Sequence, residues 1–321
     1  MKLPVRLVDG PIDEPSILVD GFARVEGCLV LSHWPGNTTP EALRHELSTG
    51  SALAFARLPD AERKALAGDA RAIVNNHFDT DGVLSLFAVR HPELAVPRAQ
   101  VMLDAAAAGD FYHVPNEHAL IVESVITALG QKLGEAAAIE RLMDELPRLL
   151  DGELDPYRGL YEARVEAVRA DRERLATTER IDDDQARLTA WIVEADEPFD
   201  AMRHALFSSS DADRVMVVTR TPTGTSARLI ISTRSWFALP GRTWKPRPDL
   251  GRIANRLNEL ARVGPESPHA WRAQPRTNAS PELWFGRATD ERFCDRLGVL
   301  EPGELDPGTL LEELASQLAK R

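Results

Sequence analysis

The sequence predicts an α/β protein: a largely parallel sheet flanked by helices in an N-terminal domain, plus a smaller α+β C-terminal domain. Three observations predict it. Short apolar runs bounded by Gly, Asp and Pro alternate with helical patterns in the first part of the chain, the rhythm of a parallel layer. Two β-rich runs joined by a turn mark a change of character further on. The length of 321 residues suits two domains of about 100–200 residues each. The expected division is 1–150 for the α/β domain, 151–185 for a helical connector and 186–321 for the α+β domain.

Ile17–Val19 and Cys28–Leu31 are the first strands, each continuously apolar as a strand buried on both faces must be. Pro40–Phe55 and Asp60–Leu66 read as helices. A third strand starts at Ala72-Ile73-Val74 and runs toward His77, and a helix follows from Val83 to Val89. A second apolar pass lies at Ala99 to Leu103. Glu117–Leu150 is helical with expected breaks at Gly130 and Gly134, and Tyr157–Glu179 is a helix of alternating charge, hence a solvated connector. Asp182-Asp183-Asp184 fits a loop or helix start better than a metal site. In the C-terminal part, Ala186–Val193 is an expected strand and Phe199–Phe207 a helix. Arg214–Arg220 and Ala227–Ser232 form a hairpin through Thr221-Pro222-Thr223-Gly224. Asp249–Arg262 and Leu310–Lys320 are amphipathic helices.

Composition narrows the function classes. With 43% hydrophobic and 27% charged residues the chain can bury a core, so disorder is not expected. Its net charge of -12 argues against binding long duplex nucleic acid or anionic membranes. Cys28 and Cys294 match no zinc spacing, which fits a reducing compartment. No signal-like or membrane-length apolar run is present, so the expected location is cytoplasmic. A homodimer is compatible with all of this.

The stretch Asn75-Asn76-His77-Phe78-Asp79-Thr80-Asp81-Gly82 is the most informative. In an extended strand His77, Asp79 and Asp81 share one face, and an imidazole with two carboxylates suits a divalent metal such as Mn²⁺. Gly82 permits a tight turn, after which a helix N-terminus can face an anion. A polar loop with helix-capping Asp residues explains the same spacing.

His77-Phe78-Asp79-Thr80-Asp81-Gly82 resembles the first signature of the DHH phosphoesterase superfamily, which includes RecJ-like exonucleases, oligoribonucleases and manganese pyrophosphatases. Ser32-His33-Trp34-Pro35-Gly36-Asn37 is similar to the Asp-His-His signature, and Leu47–Ala52 to the helix start that follows it. Ser32 and Trp34 replace the Asp and the second His, and the order of the two signatures is permuted. The resemblance implies metal ligation by His77, Asp79, Asp81, Asp20 and Asp110, with His33 on the metal or the phosphate. It also implies a substrate-binding C-terminal domain. There Ser232-Thr233-Arg234-Ser235 places Arg234 on a phosphate, and the turn Gly264–His269 adds His269, although the family's glycine cluster is replaced by Pro265 to Pro268.

No Walker loop, dinucleotide fingerprint or nucleophile elbow is present. His45, His91, His113, His118 and His204 read as core or surface residues. Trp236, Trp244, Trp271 and Trp284 among Arg228, Arg234, Arg242, Lys245, Arg247 and Arg272 suit either base stacking or a core with snorkelling arginines. Trp34 is either a stacking face for substrate or a core aromatic.

The expected function is metal-dependent hydrolysis of a phosphate ester or anhydride by a metal-activated water, with His33, Asp79 and Asp81 at its centre. Mn²⁺, or another divalent cation such as Mg²⁺, is the expected cofactor, and a small phosphorylated molecule or short oligonucleotide the expected partner. The alternative is a catalytically inactive nucleotide- or phosphate-binding protein on the same fold, which Trp34 favours.

Overall fold

The computed structural model describes residues 3–21, 27–241, 246–264, 267–288 and 298–319. Arg242, Trp244, Lys245, Pro265, Glu266 and Cys294 lie outside them. The chain divides into two compact units, one of Met1–Val168 with Phe237–Arg242 and the other of Arg169–Trp236 with Thr243–Arg321.

In the first unit β1 (Val5–Leu7), β2 (Ser16–Val19) and β3 (Leu29–Leu31) precede α1 (Ser48–Ala56), α2 (Asp60–Ala67) and β4 (Ala72–Asn75). Then come α3 (Thr80–Arg90), the single turn α4 (Pro92–Ala95), α5 (Ala99–Phe111), α6 (Glu117–Leu133), α7 (Glu135–Leu150) and α8 (Arg158–Ala176), which runs on into the second unit. The sheet order is β1-β4-β2-β3 and every pairing is parallel, with Ile17 opposite both Leu29 and Ile73. All residues of β2, β3 and β4 are buried, which is why Ile17–Val19, Leu29–Leu31 and Ala72–Val74 read as unbroken apolar runs.

Several elements differ from the sequence reading. The helix expected over Pro40–Phe55 is a 3-10 turn at Glu41–Leu43 and then α1, because Asp81 from a later segment captures the amides of Ser48 and Thr49 and restarts the helix there. The apolar pass at Ala99–Leu103 is helical, the start of α5; short apolar runs do not distinguish the two states. Gly130 does not break α6. A Cβ there would lie 2.4 Å from the Phe78 ring, so this glycine admits an aromatic against the helix backbone. Gly134, at φ 81°, is the break.

The second unit holds β5 (Glu179–Asp183), β6 (Leu188–Glu194), α9 (Arg203–Ser208), β7 (Arg214–Thr221) and β8 (Gly224–Ile231). After them come α10 (Leu250–Leu260), β9 (Ala270–Ala273), β10 (Glu282–Ala288), β11 (Gly298–Leu300) and α11 (Pro307–Ala319). Its mixed sheet runs β11-β10-β8-β7-β6-β5, with β9 on β10 and only β6–β7 parallel. Met216, Leu229 and Ile231 pack with Leu250, Ile253 and Leu257 of α10 and with Leu310, Leu314 and Leu318 of α11. The helix expected from Phe199 begins only at Arg203, since the Phe199 amide is held by Thr219 Oγ1 on β7 (3.0 Å).

Trp271 and Trp284 are buried, and the Arg228 guanidinium meets the carboxylates of Glu282 and Asp200. These side chains are core. Asp182 is tied to Arg180 and Thr189 on the β5–β6 hairpin. Among the described residues no helix is long and apolar enough to cross a membrane.

Candidate metal centre

The carboxyl ends of β2, β3 and β4 converge in the first unit, where parallel sheets commonly place their ligands. Asp20 follows β2, Ser32-His33-Trp34 follow β3, and Asn75 ends β4. Asp79 caps α3, its Oδ1 accepting from Gly82 N at 2.7 Å, and Asp81 lies in that helix's first turn. Asp110 arrives from the last turn of α5. The extended-strand geometry expected for His77, Asp79 and Asp81 is therefore replaced by a turn and a helix start. That turn divides them between two groups: Asp20, His33, Asp81 and Asp110 in one, Asp20, His77 and Asp79 in the other. Asp20 belongs to both.

His33 is fully buried, and its Nδ1 lies 2.6 Å from the Glu46 carbonyl oxygen. A carbonyl only accepts, so this bond assigns the proton to Nδ1 and leaves a lone pair on Nε2. That lone pair points among three carboxylate oxygens: Asp110 Oδ2 at 3.0 Å, Asp20 Oδ1 at 3.5 Å and Asp81 Oδ2 at 3.6 Å. His33 Nε2 makes no hydrogen bond, and Asp20 Oδ2, which makes none either, faces the His77 imidazole at 3.1 Å. One further proton on Nε2 could serve one of the three oxygens, whereas a cation serves all of them. The donor set, one imidazole and carboxylates at buried positions, fits a divalent metal ion. Two adjoining rings complete the setting: Phe237, from the segment that returns to this unit, stacks on His33 at 3.8 Å, and Phe111 lies 6.2 Å from His33 and edge-on to Phe237 at 5.8 Å.

The carboxylates are held by the chain around them. The Ser48 amide donates to Asp81 Oδ2 (2.8 Å) and the Thr49 amide to Asp81 Oδ1 (2.7 Å), so the start of α1 grips Asp81 at both oxygens. Asp20 sits at φ 44°, a left-handed conformation that Asp tolerates better than bulkier residues. Its Oδ1 accepts from Ser48 Oγ (2.7 Å) and Trp34 Nε1 (3.2 Å). Trp34 thus touches the shared carboxylate and packs its ring 4.9 Å from His77.

Burial, followed by the charges of Asp79 and Asp81, pushes the Asp20 carboxyl up to about 6. The same causes, with burial again first, push Asp110 well above the usual range. At His77 burial opposes the charged form, but the carboxylates of Asp20 (3.1 Å) and Asp79 (2.9 Å) outweigh it and raise the imidazole to about 11. Burial works to raise Asp79 as well, and its bond to His77 reverses that, holding it below its ordinary value. The His77 side chain is 28% exposed and that of Asp79 37%, whereas His33, Asp20 and Asp81 are fully enclosed. The centre therefore has a closed side and an open one.

The structure brings Asp20, His33, Trp34, His77, Asp79, Asp81 and Asp110 together. Arg234 and His269 belong to the second unit. Arg234 lies in a 3-10 turn after β8, and His269 is exposed with Nδ1 2.5 Å from Glu301 Oε2. The reading of the residues alone overlooked Glu46 and Phe237, which carry no motif, and gave Asn75 no role.

A model of DUF6687, a family of unknown function, matches residues 10–318. No curated protein matches the sequence. Among solved structures, the pGpG-specific phosphodiesterase PggH of Vibrio cholerae is similar at 11% identity and a TM-score of 0.35, over 84% of this chain and 78% of that one.

Proposed function

The chain belongs to the DUF6687 family, whose function is unknown, and we propose from its own site that it is a metal-dependent hydrolase of phosphate esters or anhydrides. The observation that carries this reading is the His33 Nε2 lone pair, fixed by Glu46 and aimed at three buried carboxylates. Support also comes from the resemblance of His77–Gly82 to the DHH signature, to which Asp20, His33 and Asp110 add the expected ligand types. Asp20 offers Oδ1 to the group around His33 and Oδ2 to the group around His77, an arrangement that suits Mn²⁺ or Mg²⁺ in either group.

A bound divalent cation supplies Lewis acidity toward a phosphoryl oxygen and lowers the pKa of water. The chain supplies the rest. The Glu46 carbonyl fixes the tautomer of His33, and the α1 amides hold Asp81. Phe237 and Phe111 pack on His33 and keep water from its enclosed side. His77 and Asp79 line the open side, where substrate enters. His77 must give up its proton to ligate, so cation uptake releases a proton. Arg234 and His269 are assigned to phosphate binding as part of the proposal.

Trp34 favours the second reading, a phosphate- or nucleotide-binding protein without turnover, because an indole offers no lone pair to a cation or leaving group. One experiment separates the two. The purified chain is titrated with Mn²⁺ and then assayed with a chromogenic phosphodiester and with pyrophosphate. Uptake of Mn²⁺ with hydrolysis that a chelator abolishes is the expected result. Phosphate or nucleotide binding without turnover, with or without uptake of Mn²⁺, selects the binding protein, and no uptake of Mn²⁺ or Mg²⁺ together with no phosphate binding overturns both.

A further inference from the structure

Asn75, the last residue of β4, is fully buried at the centre, and no role has been given to its side chain. Its Oδ1 accepts from two backbone amides, Asn76 at 2.6 Å and His77 at 3.3 Å. Those bonds settle which end of the amide is oxygen, since only an acceptor can face two N–H groups. The other end, Nδ2, is a true donor, and it has no hydrogen-bond partner. Its direction is marked by Gly82. A Cβ built there would lie 2.0 Å from Asn75 Nδ2, 3.1 Å from Asp79 Oδ1 and 3.2 Å from Asp20 Oδ2. Glycine at 82 thus leaves room for the Asn75 amide beside the two carboxylates that belong to the open group.

The centre consequently presents unsatisfied groups of both kinds. His33 Nε2 is an orphaned acceptor, and Asp20 Oδ2 has the His77 imidazole at 3.1 Å in place of a hydrogen bond; a cation satisfies both. Asn75 Nδ2 is an orphaned donor, and a cation cannot satisfy it. A buried N–H₂ without an acceptor is costly, which argues that an acceptor oxygen arrives with the ligand. We infer that Asn75 is a positioning residue that donates a hydrogen bond to an oxygen of the bound oxyanion, beside the cation that Asp20 and Asp79 hold. The inference rests on the metal-dependent reading of the site and adds to it that the ligand carries an acceptor oxygen here. Asn75 contributes to phosphate affinity, then, and not to cation affinity. Its Oδ1 bonds matter as much: they lock χ2 so that Nδ2 is delivered to one place without an entropic loss on binding.

The test uses the full chain with Mn²⁺ and inorganic phosphate as probes, each followed by calorimetric titration. Asn75→Ser is neutral and keeps a short side-chain acceptor for the turn, but its hydroxyl ends one bond short of Nδ2 and carries no donor to the place Nδ2 reaches. Asn75→Asp retains Oδ1 and the shape, replacing the donor with a second oxygen. The inference predicts that phosphate binding to the Mn²⁺-loaded protein weakens about tenfold or more in both variants, the size of one lost bond to a charged group. Mn²⁺ affinity should stay within about threefold of wild type in Asn75→Ser and tighten in Asn75→Asp. Unchanged phosphate affinity in Asn75→Ser overturns the role of Asn75 while leaving the metal site standing. A parallel loss of Mn²⁺ affinity in Asn75→Ser also overturns it, by showing that Asn75 serves the cation. Absence of Mn²⁺ uptake by the wild type overturns the metal reading itself, and this inference with it. Should Asn75→Ser melt without a cooperative transition, Asn75→Asp decides: weaker phosphate with tighter Mn²⁺ supports the role, and unchanged phosphate removes it.

Discussion

Asp79 and Asp81 look interchangeable in the sequence, and the structure gives them different second tasks. Asp79 caps α3 through one oxygen, a task Asn performs equally well, while Asp81 accepts α1 amides at both oxygens. Asp79→Asn should therefore keep the cap and lose the ion pair with the part-exposed His77, leaving thermal stability within about 1 kcal/mol of wild type. It should weaken Mn²⁺ binding by more than the roughly 10–100-fold that loss of an outer-shell partner costs. Asp81→Asn should lose Mn²⁺ binding and also about 1–3 kcal/mol of stability, because an amide N–H₂ must then face a buried backbone N–H. Melting curves with and without Mn²⁺ check both. Equal melting temperatures for the two variants would contradict the grip of α1 on Asp81.

At the scale of elements, the junction of α3 and α4 carries a titration separate from the centre. His91 follows α3 and precedes α4, with its ring 5.4 Å from Phe87. Burial, then the charge of Arg90, lowers its pKa below the ordinary value of 6.5, although Glu93 pulls the other way. The fold thus favours neutral His91 and binds fewer protons than the unfolded chain. The stability this contributes is complete above the unfolded pKa and is lost as pH falls below 6.5 toward the folded value. His91→Gln cannot titrate, so its stability should decline less than that of wild type between pH 7 and pH 5 in urea unfolding. Parallel decline of the two proteins would remove His91 from the acid response. Secondary structure itself was legible wherever pattern and length agreed: β2, β3, the β7–β8 hairpin and α10 stand close to where periodicity put them. The boundary of α1 was not, since a carboxylate 33 positions away sets it.

For the whole molecule, the centre gathers its donors within the first unit. Its cation should accordingly stabilise that unit by mass action, by about 2.7 kcal/mol at a free concentration of 100 times Kd. Hydrogen exchange with saturating Mn²⁺ should slow most at the ends of β2 and β4 and at the starts of α1 and α3, with a chelator reversing it. Protection rising equally in β7 and β8 of the second unit, and not preferentially around Asp20 and Asp81, would place the binding elsewhere.

The sequence by itself determined the α/β class and the parallel strands, because both depend on local pattern, and a His-x-Asp-x-Asp-Gly stretch singled out His77, Asp79 and Asp81, whereas Asp20, His33 and Asp110 were named only through the resemblance. Only the tertiary structure decided how those donors are shared. It put Asp81 with His33 and left Asp79 with His77, made Asp20 common to both groups, and turned the His33 lone pair inward through a backbone carbonyl at Glu46. None of these follows from spacing, because parallel strands joined by long crossovers bring together residues whose separation in the chain says nothing of their distance in space. The donor at Asn75 was hidden for the same reason: an asparagine's meaning depends on which of its two ends the surrounding backbone has already taken.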